Sequence, residues 1–247
     1  VLSKLRPVDR LRDILVASRG ADTQELRHFF QQYGPDQACA MCLMLACSET
    51  RSAVVSPRIG ASPTTALSWH DPDVASWATQ VFFRMGGRPS YPPPQNQYQA
   101  RTFSPSFCAA GFCLYLSRIL RPVWQMTMFT STGSGIACKL KKEQISQLEM
   151  QLLALKKFLA NNPYWAPVNP AGAPSQHPSS NVHMMMLDMQ RRRIDDEARK
   201  TEQRNLADLH LLLLRSIEVI SFIDILCENN LKAISAKIPK NATVRIL

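Results

Sequence analysis

Cys39-Ala40-Met41-Cys42 has the residue types and spacing for chemistry: two thiols at C-x-x-C, as in a dithiol redox pair or half of a zinc site. The redox use needs the first thiol at a helix N-terminus, where exposed amides lower its pKa. Here Pro35 opens the helix, and Cys39 falls several residues inside it, in ten uncharged residues from Ala38 to Cys47. A zinc site needs a second ligand pair. Cys108 and Cys113 are available, but they flank the start of another apolar stretch with no histidine beside them. Both pairs are read as packing residues, since a buried free cysteine behaves as a small hydrophobe.

The other candidates are weaker. His28, His70, His177, His183 and His210 are scattered, and no two have the i,i+4 spacing of a helical metal pair. Thr132-Gly133-Ser134-Gly135 lacks the Lys-Ser/Thr ending of a phosphate loop, and no Gly-x-Ser-x-Gly turn marks a nucleophile. Asp195-Asp196-Glu197 invites an acid/base or metal reading, but consecutive helical residues point in different directions, which favours a solvated face. Arg191-Arg192-Arg193 can contact phosphate, yet the acids that follow partly neutralise it. Met184-Met185-Met186, with Leu187 and Met189, is either an adaptable partner surface or a core plug, and the core is favoured. The expectation is no enzyme: no catalytic, cofactor-binding or metal residue is assigned.

The elements that would position these residues are helical. Residues 7–19 carry Val8, Leu11, Ile14 and Leu15 at helical spacing, and Gly20 ends the run. Asp22-Thr23-Gln24-Glu25 resembles a capping box, with Asp22 as cap, before Leu26, Phe29 and Phe30. Residues 35–48 are apolar on every side, so that helix must be surrounded, by the Leu26/Phe29/Phe30 helix and the Trp77/Phe82 helix. Further helices are expected from Pro72 to the Gly86-Gly87 stop, over 111–124 with Pro122 kinking or ending it, and over 140–161. Residues 125–136 are ambiguous. A long helix over 182–229 has a polar first half, with Asp195/Arg199 and Asp196/Lys200 as i,i+4 pairs, and an apolar second half. It should project at one end and be buried at the other. Residues 231–238 can start another helix.

No strand is expected, so the fold is read as all-α with no sheet: an irregular α-solenoid of stacked helical hairpins. Residues 1–247 form a single solenoid segment of a longer chain, with loops or linkers at 51–70, 88–106 and 163–180. The expected buried core includes Leu43, Leu45, Trp77, Phe82, Leu116, Leu152 and Leu155.

Composition narrows the classes further. Hydrophobic residues make up 45% of the chain, enough for a sizeable core. Seven cysteines, an odd number set in apolar stretches, fit a reducing compartment better than a disulfide scaffold. Residues 209–226 are the strongest membrane candidate, but His210, Arg215, Glu218 and Asp224 interrupt them. The net charge of +10 raises nucleic acid as a partner, yet the excess is spread over the central stretches and forms no basic stripe.

Several separate blocks carry a resemblance. They are Pro7-Val8-Asp9-Arg10-Leu11-Arg12-Asp13-Ile14-Leu15, the run from Asp36 to Cys47, and the run from Trp77 to Gly87. Phe112-Cys113-Leu114-Tyr115-Leu116-Ser117-Arg118-Ile119-Leu120 with Trp124, residues 152–161 and Ile225-Leu226-Cys227-Glu228 continue them. In order and approximate spacing they resemble the large inner-ring scaffold nucleoporin of the 155/170 class, over most of the chain. That resemblance implies an N-terminal β-propeller followed by a long α-helical solenoid, of which this chain would be the first or middle part. It implies a non-enzymatic scaffold of the nuclear pore inner ring, at the nuclear envelope, supporting pore assembly and nucleocytoplasmic transport. The implied partners are other nucleoporins, especially flexible linker nucleoporins, with the pore membrane reached indirectly or through the absent propeller. No binding residue is carried over. The alternative from composition is a helical nucleic-acid or chromatin-binding module using its basic surface; a third reading is a cysteine-based redox or zinc protein.

Overall fold

The computed structural model describes residues 6–48, 72–93, 101–132, 135–163 and 182–229. Seven helices and one hairpin occupy them: α1 Pro7–Ser18, α2 Gln24–Tyr33, α3 Pro35–Ala46, α4 Pro72–Met85, α5 Phe107–Trp124, β1 Phe129–Thr132, β2 Gly135–Cys138, α6 Lys142–Asn161 and α7 Val182–Glu228. The expected loops at 51–70 and most of 163–180, with the helix start at 231–238, lie outside the described residues.

The first three helices follow closely on their punctuation. Arg19 takes the left-handed conformation (φ 49°) after α1, and the Gly20 amide reaches back to the Leu15 carbonyl at 3.1 Å, satisfying a helix-end acceptor. Gly20 also has φ 74°, and a Cβ there would lie 2.8 Å from the Trp77 Cβ. Only glycine lets α4 come so close to this turn, and the Arg84 guanidinium closes the contact by donating to the Gly20 carbonyl at 2.8 Å. The cap of α2 sits one residue later than the sequence suggests. Thr23 Oγ1 accepts from the Leu26 amide, while Asp22 turns outward to pair with Arg27 at 2.6 Å. Gly34 alone then separates α2 from α3.

α3 is the centre of the N-terminal layer. Ala38 to Leu43 are buried without a break, which is what a helix without a polar face requires. Its main neighbours are α4 and α5, with α1 and α2 contributing smaller contacts. The sequence pointed to α2 and α4; α5 is the helix it missed. The approach of α5 is set by Gly111, where a Cβ would stand 2.6 Å from the Cys39 Cβ and 2.9 Å from the Ala40 nitrogen.

Of the expected core, Leu43, Leu45, Phe82, Leu116, Leu152 and Leu155 are all placed inside. Trp77 is a correction: it is half-buried. One edge lies on the Gly20 turn, and a side chain at the rim of a layer has neighbours on one side only. Aromatic contacts join this layer to the next. The Phe82 and Phe158 rings meet edge-on at 5.7 Å, and Phe83 stacks on Phe158 at 6.1 Å.

α5 begins at Phe107, four residues earlier than its apolar stripe indicates, because Ser106 caps it by accepting from the Ala109 amide at 3.1 Å. It also runs through Pro122 to Trp124. So near the end, proline forfeits one hydrogen bond, and the Gln125 amide still closes the last turn on Arg121. The all-α reading has one local exception. β1 and β2 pair antiparallel, Phe129 opposite Cys138 and Thr132 opposite Gly135, in part of the stretch read as ambiguous. Two residues, Gly133-Ser134, separate the strands in sequence, a spacing and composition that favour hairpins.

α6 and α7 pack antiparallel: Lys142 pairs with Glu228 at 2.6 Å, and the Ser221 hydroxyl donates to Glu149 further along. α7 has 47 residues and α6 only 20, so α7 overhangs its partner. Its fully buried positions include Leu206, Leu213 and Ile220, seven residues apart, the repeat of a narrow two-helix seam. A seam of this kind has partners on one side, and so the apolar second half of α7 is not buried all round as expected. Leu211, Val219, Phe222 and Ile225 remain exposed. Among the described residues, no helix is long and apolar enough to cross a membrane.

Candidate interaction surface

Of the four thiols singled out in the sequence, Cys39, Cys42, Cys108 and Cys113, the first three are buried. Cys39, Cys42, Cys47 and Cys108 are buried and in no disulfide, while Cys113 is exposed. Burial pushes the Cys42 thiol well up, and the Cys47 thiol up to about 12. Cys108 is also raised, first by its hydrogen bond with Cys39 and then by burial, and its Sγ donates to the Phe82 carbonyl at 3.2 Å. A raised pKa keeps these groups as neutral thiols, the opposite of what a nucleophile or metal ligand needs. Among the described residues, no three His, Cys, Asp or Glu side chains gather as a metal site.

The polar candidates are spread apart in the same way. His28 is exposed beside an open recess of about 460 Å³ between α1 and α2, lined also by Arg10, Ile14, Gln24 and Glu25. His210 is half-buried on α7; His70 and His177 lie outside the described residues. Thr132 and Gly135 face each other as hairpin partners, a geometry without the strand-to-helix turn of a phosphate loop. Asp195, Asp196 and Glu197 are all solvent-facing. Among the described residues the expected Asp195/Arg199 and Asp196/Lys200 pairs do not close, while Arg192 pairs with Asp188 at 2.9 Å. Arg191, Arg192 and Arg193 are exposed, but with one cation engaged and three acids following they make no basic stripe.

The methionine run is where the structure departs most from the expected core plug. Met185, Met186, Leu187 and Met189 are exposed, Met186 by 63%. They sit on the overhanging part of α7, beyond the reach of α6, and among the described residues no second helix covers them. Together with Leu211, Val219, Phe222 (59% exposed) and Ile225 they give α7 two apolar patches at opposite ends. Flexible thioethers of this kind adapt to partner side chains, and patches of exposed large apolar residues are uncommon without a covering surface.

Between the two patches α7 is tied to the N-terminal layer by a polar latch that sequence reasoning missed. Glu202 is 5% exposed, and its two oxygens are both engaged by Ser106: Oε2 accepts from the backbone amide at 2.6 Å, Oε1 from the hydroxyl at 2.9 Å. Ser106 Oγ at the same time accepts from the Ala109 amide, so donor and acceptor capacity are both used. The carboxylate therefore lies at the N-terminus of α5, where the helix dipole favours negative charge. One residue along, Thr201 Oγ1 and the Tyr91 hydroxyl are 3.1 Å apart. Ser106 after a proline carries a local N-cap signal; Glu202, 96 residues away on a polar helix face, has none.

Comparison with known proteins gives a consistent set of likenesses. Residues 106–247 match the family model described as non-repetitive/WGA-negative nucleoporin C-terminal. A stretch of 91 residues, 37% of this chain, is 33% identical to nuclear pore complex protein Nup154 of Drosophila melanogaster and spans 5% of that protein. Among solved structures, the Chaetomium thermophilum Nup170 NTD–Nup53 complex is similar with a TM-score of 0.66 and 20% identity, over 96% of this chain and 27% of that one. The Nup170 SOL structure of the same organism is similar with a TM-score of 0.63 and 20% identity, over 96% of this chain and 25% of that one. The chain thus spans about a quarter of each Nup170 structure, and at this identity the likeness establishes the helical solenoid fold.

Proposed function

Because the chain belongs to the nucleoporin family described as non-repetitive/WGA-negative nucleoporin C-terminal, we propose that it serves as one segment of a scaffold nucleoporin in the inner ring of the nuclear pore complex. In this reading residues 1–247 are a continuous part of a longer solenoid, held at the nuclear envelope and acting through its surfaces, without catalysis. The observation that carries the reading is the family match over more than half of the chain. The residue blocks quoted above point to the same class, and those before residue 106 lie outside the matched stretch. Nup170 of Chaetomium thermophilum is found in complex with Nup53. We propose that this chain likewise engages short motifs of linker nucleoporins, and that such contacts support ring assembly and transport. The exposed apolar residues of α7 favour a partner-covered scaffold over a nucleic-acid module, since large apolar side chains grouped at a surface are uncommon without a covering partner.

The test is removal of residues 1–247 from the full-length protein in its native assembly, read by recruitment of neighbouring nucleoporins to the pore. The expected result is loss of neighbours and defective rings. Intact pores with normal neighbour occupancy would overturn the proposal. Crosslinking mass spectrometry of the unaltered assembly supplies the positive arm: crosslinks from this segment to other nucleoporins are expected.

A further inference from the structure

The short extended stretch ahead of α5 carries a feature that a passive scaffold does not use. Ser104 is exposed and is followed by Pro105, the Ser-Pro pair that proline-directed protein kinases accept. Its amide and carbonyl are both bonded to Ser90 at 2.9 Å in an isolated antiparallel bridge, so the chain is already extended there, the form in which kinases take a substrate. Seating it in a kinase costs those two hydrogen bonds and disturbs the Phe103–Tyr91 ring contact before it and the buried Ser106 after it. Along extended backbone, residues two apart share a side and lie about 7 Å from each other. The residue two positions on is Ser106, whose hydroxyl and amide hold the buried Glu202 carboxylate.

We propose that Ser104 is a phosphoacceptor for a proline-directed serine/threonine kinase, and that phosphate at this position releases Glu202 from Ser106 and so unlatches α7 from α5. In the transfer, Ser104 Oγ bonds to the γ-phosphorus of ATP, the bond to the β,γ-bridging oxygen breaks and ADP leaves. The hydroxyl proton passes to the kinase's base. The product adds nearly two negative charges two residues from the serine that holds the buried Glu202 carboxylate, and like charges brought close in poorly hydrated surroundings repel. The phosphate oxygens also compete with Glu202 for the Ser106 amide at the start of α5, where the helix dipole favours an anion. Arg101, exposed three residues earlier, screens only part of the new charge.

The experiment uses the full chain carrying Ser56→Ala and Ser62→Ala, which removes the Ser-Pro pairs at 56–57 and 62–63. It is incubated with a cyclin-dependent kinase and ATP, mapped by mass spectrometry and followed by amide hydrogen exchange. Phosphate on Ser104 is expected, with exchange at 106–112 and 199–206 accelerated about tenfold. A Ser104→Ala variant should show neither change. In Glu202→Gln, where the repelling charge is gone, phosphorylation should alter exchange less than about twofold. Absence of phosphate on Ser104, or phosphate there with unchanged exchange at both segments, would overturn the proposal.

Discussion

Replacing Gly111 by alanine tests the packing of the N-terminal layer at its tightest point. In an isolated helix this change is favourable, because glycine costs about 1 kcal/mol relative to alanine in a helix interior. Here the added methyl would stand 2.6 Å from Cys39 Cβ, 2.9 Å from the Ala40 nitrogen and 3.0 Å from the Asp36 carbonyl oxygen. Two of these three are backbone atoms of α3, which cannot swing aside as the end of a long side chain can. Overpacking in a well-packed core costs about 1–3 kcal/mol, and a rigid neighbour puts the cost at the upper end or beyond. Set against the gain in propensity, the net effect is a loss of about 2 kcal/mol. For a chain of this size that lowers Tm by roughly 4–8 °C. Urea unfolding followed by circular dichroism gives the free energy directly. A second variant sharpens the result: Gly111→Ala with Cys39→Ala should be no more stable than Gly111→Ala alone, since truncating the thiol leaves the offending Cβ in place. A Gly111→Ala protein as stable as the parent, or more so, would show that α3 and α5 do not approach this closely.

Four further outcomes are expected. Leu43→Asp places an unpaired charge at a fully buried position of α3 and should leave the segment unfolded; a helical variant with unchanged Tm would contradict the placement. Glu202→Ala strands the Ser106 donors beneath the surface and should lower stability by about 1–3 kcal/mol in urea titrations, whereas Glu197→Ala on the exposed face of the same helix should change it by less than about 0.5 kcal/mol. Under native conditions at pH 8 a thiol reagent should label exposed Cys113 first. Cys42, Cys47 and Cys108, all with raised pKa values, should react only after denaturant is added, and early labelling of any of them would count against the buried cluster. Met186→Glu should shift stability by less than about 0.5 kcal/mol, as befits a surface residue; a loss of several kcal/mol would return the methionine run to the core.

The local layout of the protein was written in its sequence. Gly20, the Gly34-Pro35 pair, Pro72 and the Asn161-Asn162-Pro163 stop fix chain direction through φ preferences and missing donors, which act within one turn of the residue concerned. Apolar spacing likewise identified the buried faces of α1, α3 and α6, and the blocks around Asp36–Cys47 and Trp77–Gly87 carried the likeness to a scaffold nucleoporin. The hairpin at 129–138 was legible in principle, through its Gly-Ser connection, but its strands are too short for periodicity to declare.

What only the tertiary structure decided is which of these faces has a partner. Hydrophobicity marks α3 and the second half of α7 alike, yet α3 lies among four helices while α7, among the described residues, packs mainly on α6, with a smaller contact to α5. Phe222 and the methionines are exposed for that reason, and no property of their own side chains distinguishes them from Leu213. Glu202 shows the converse. A glutamate on a polar stretch reads as solvated, and it is buried because a capped helix start 96 residues away in the chain supplies both of its donors. Propensity is a property of neighbours in sequence, whereas burial and polar pairing are properties of neighbours in space, and the single chain records the second only after it has folded.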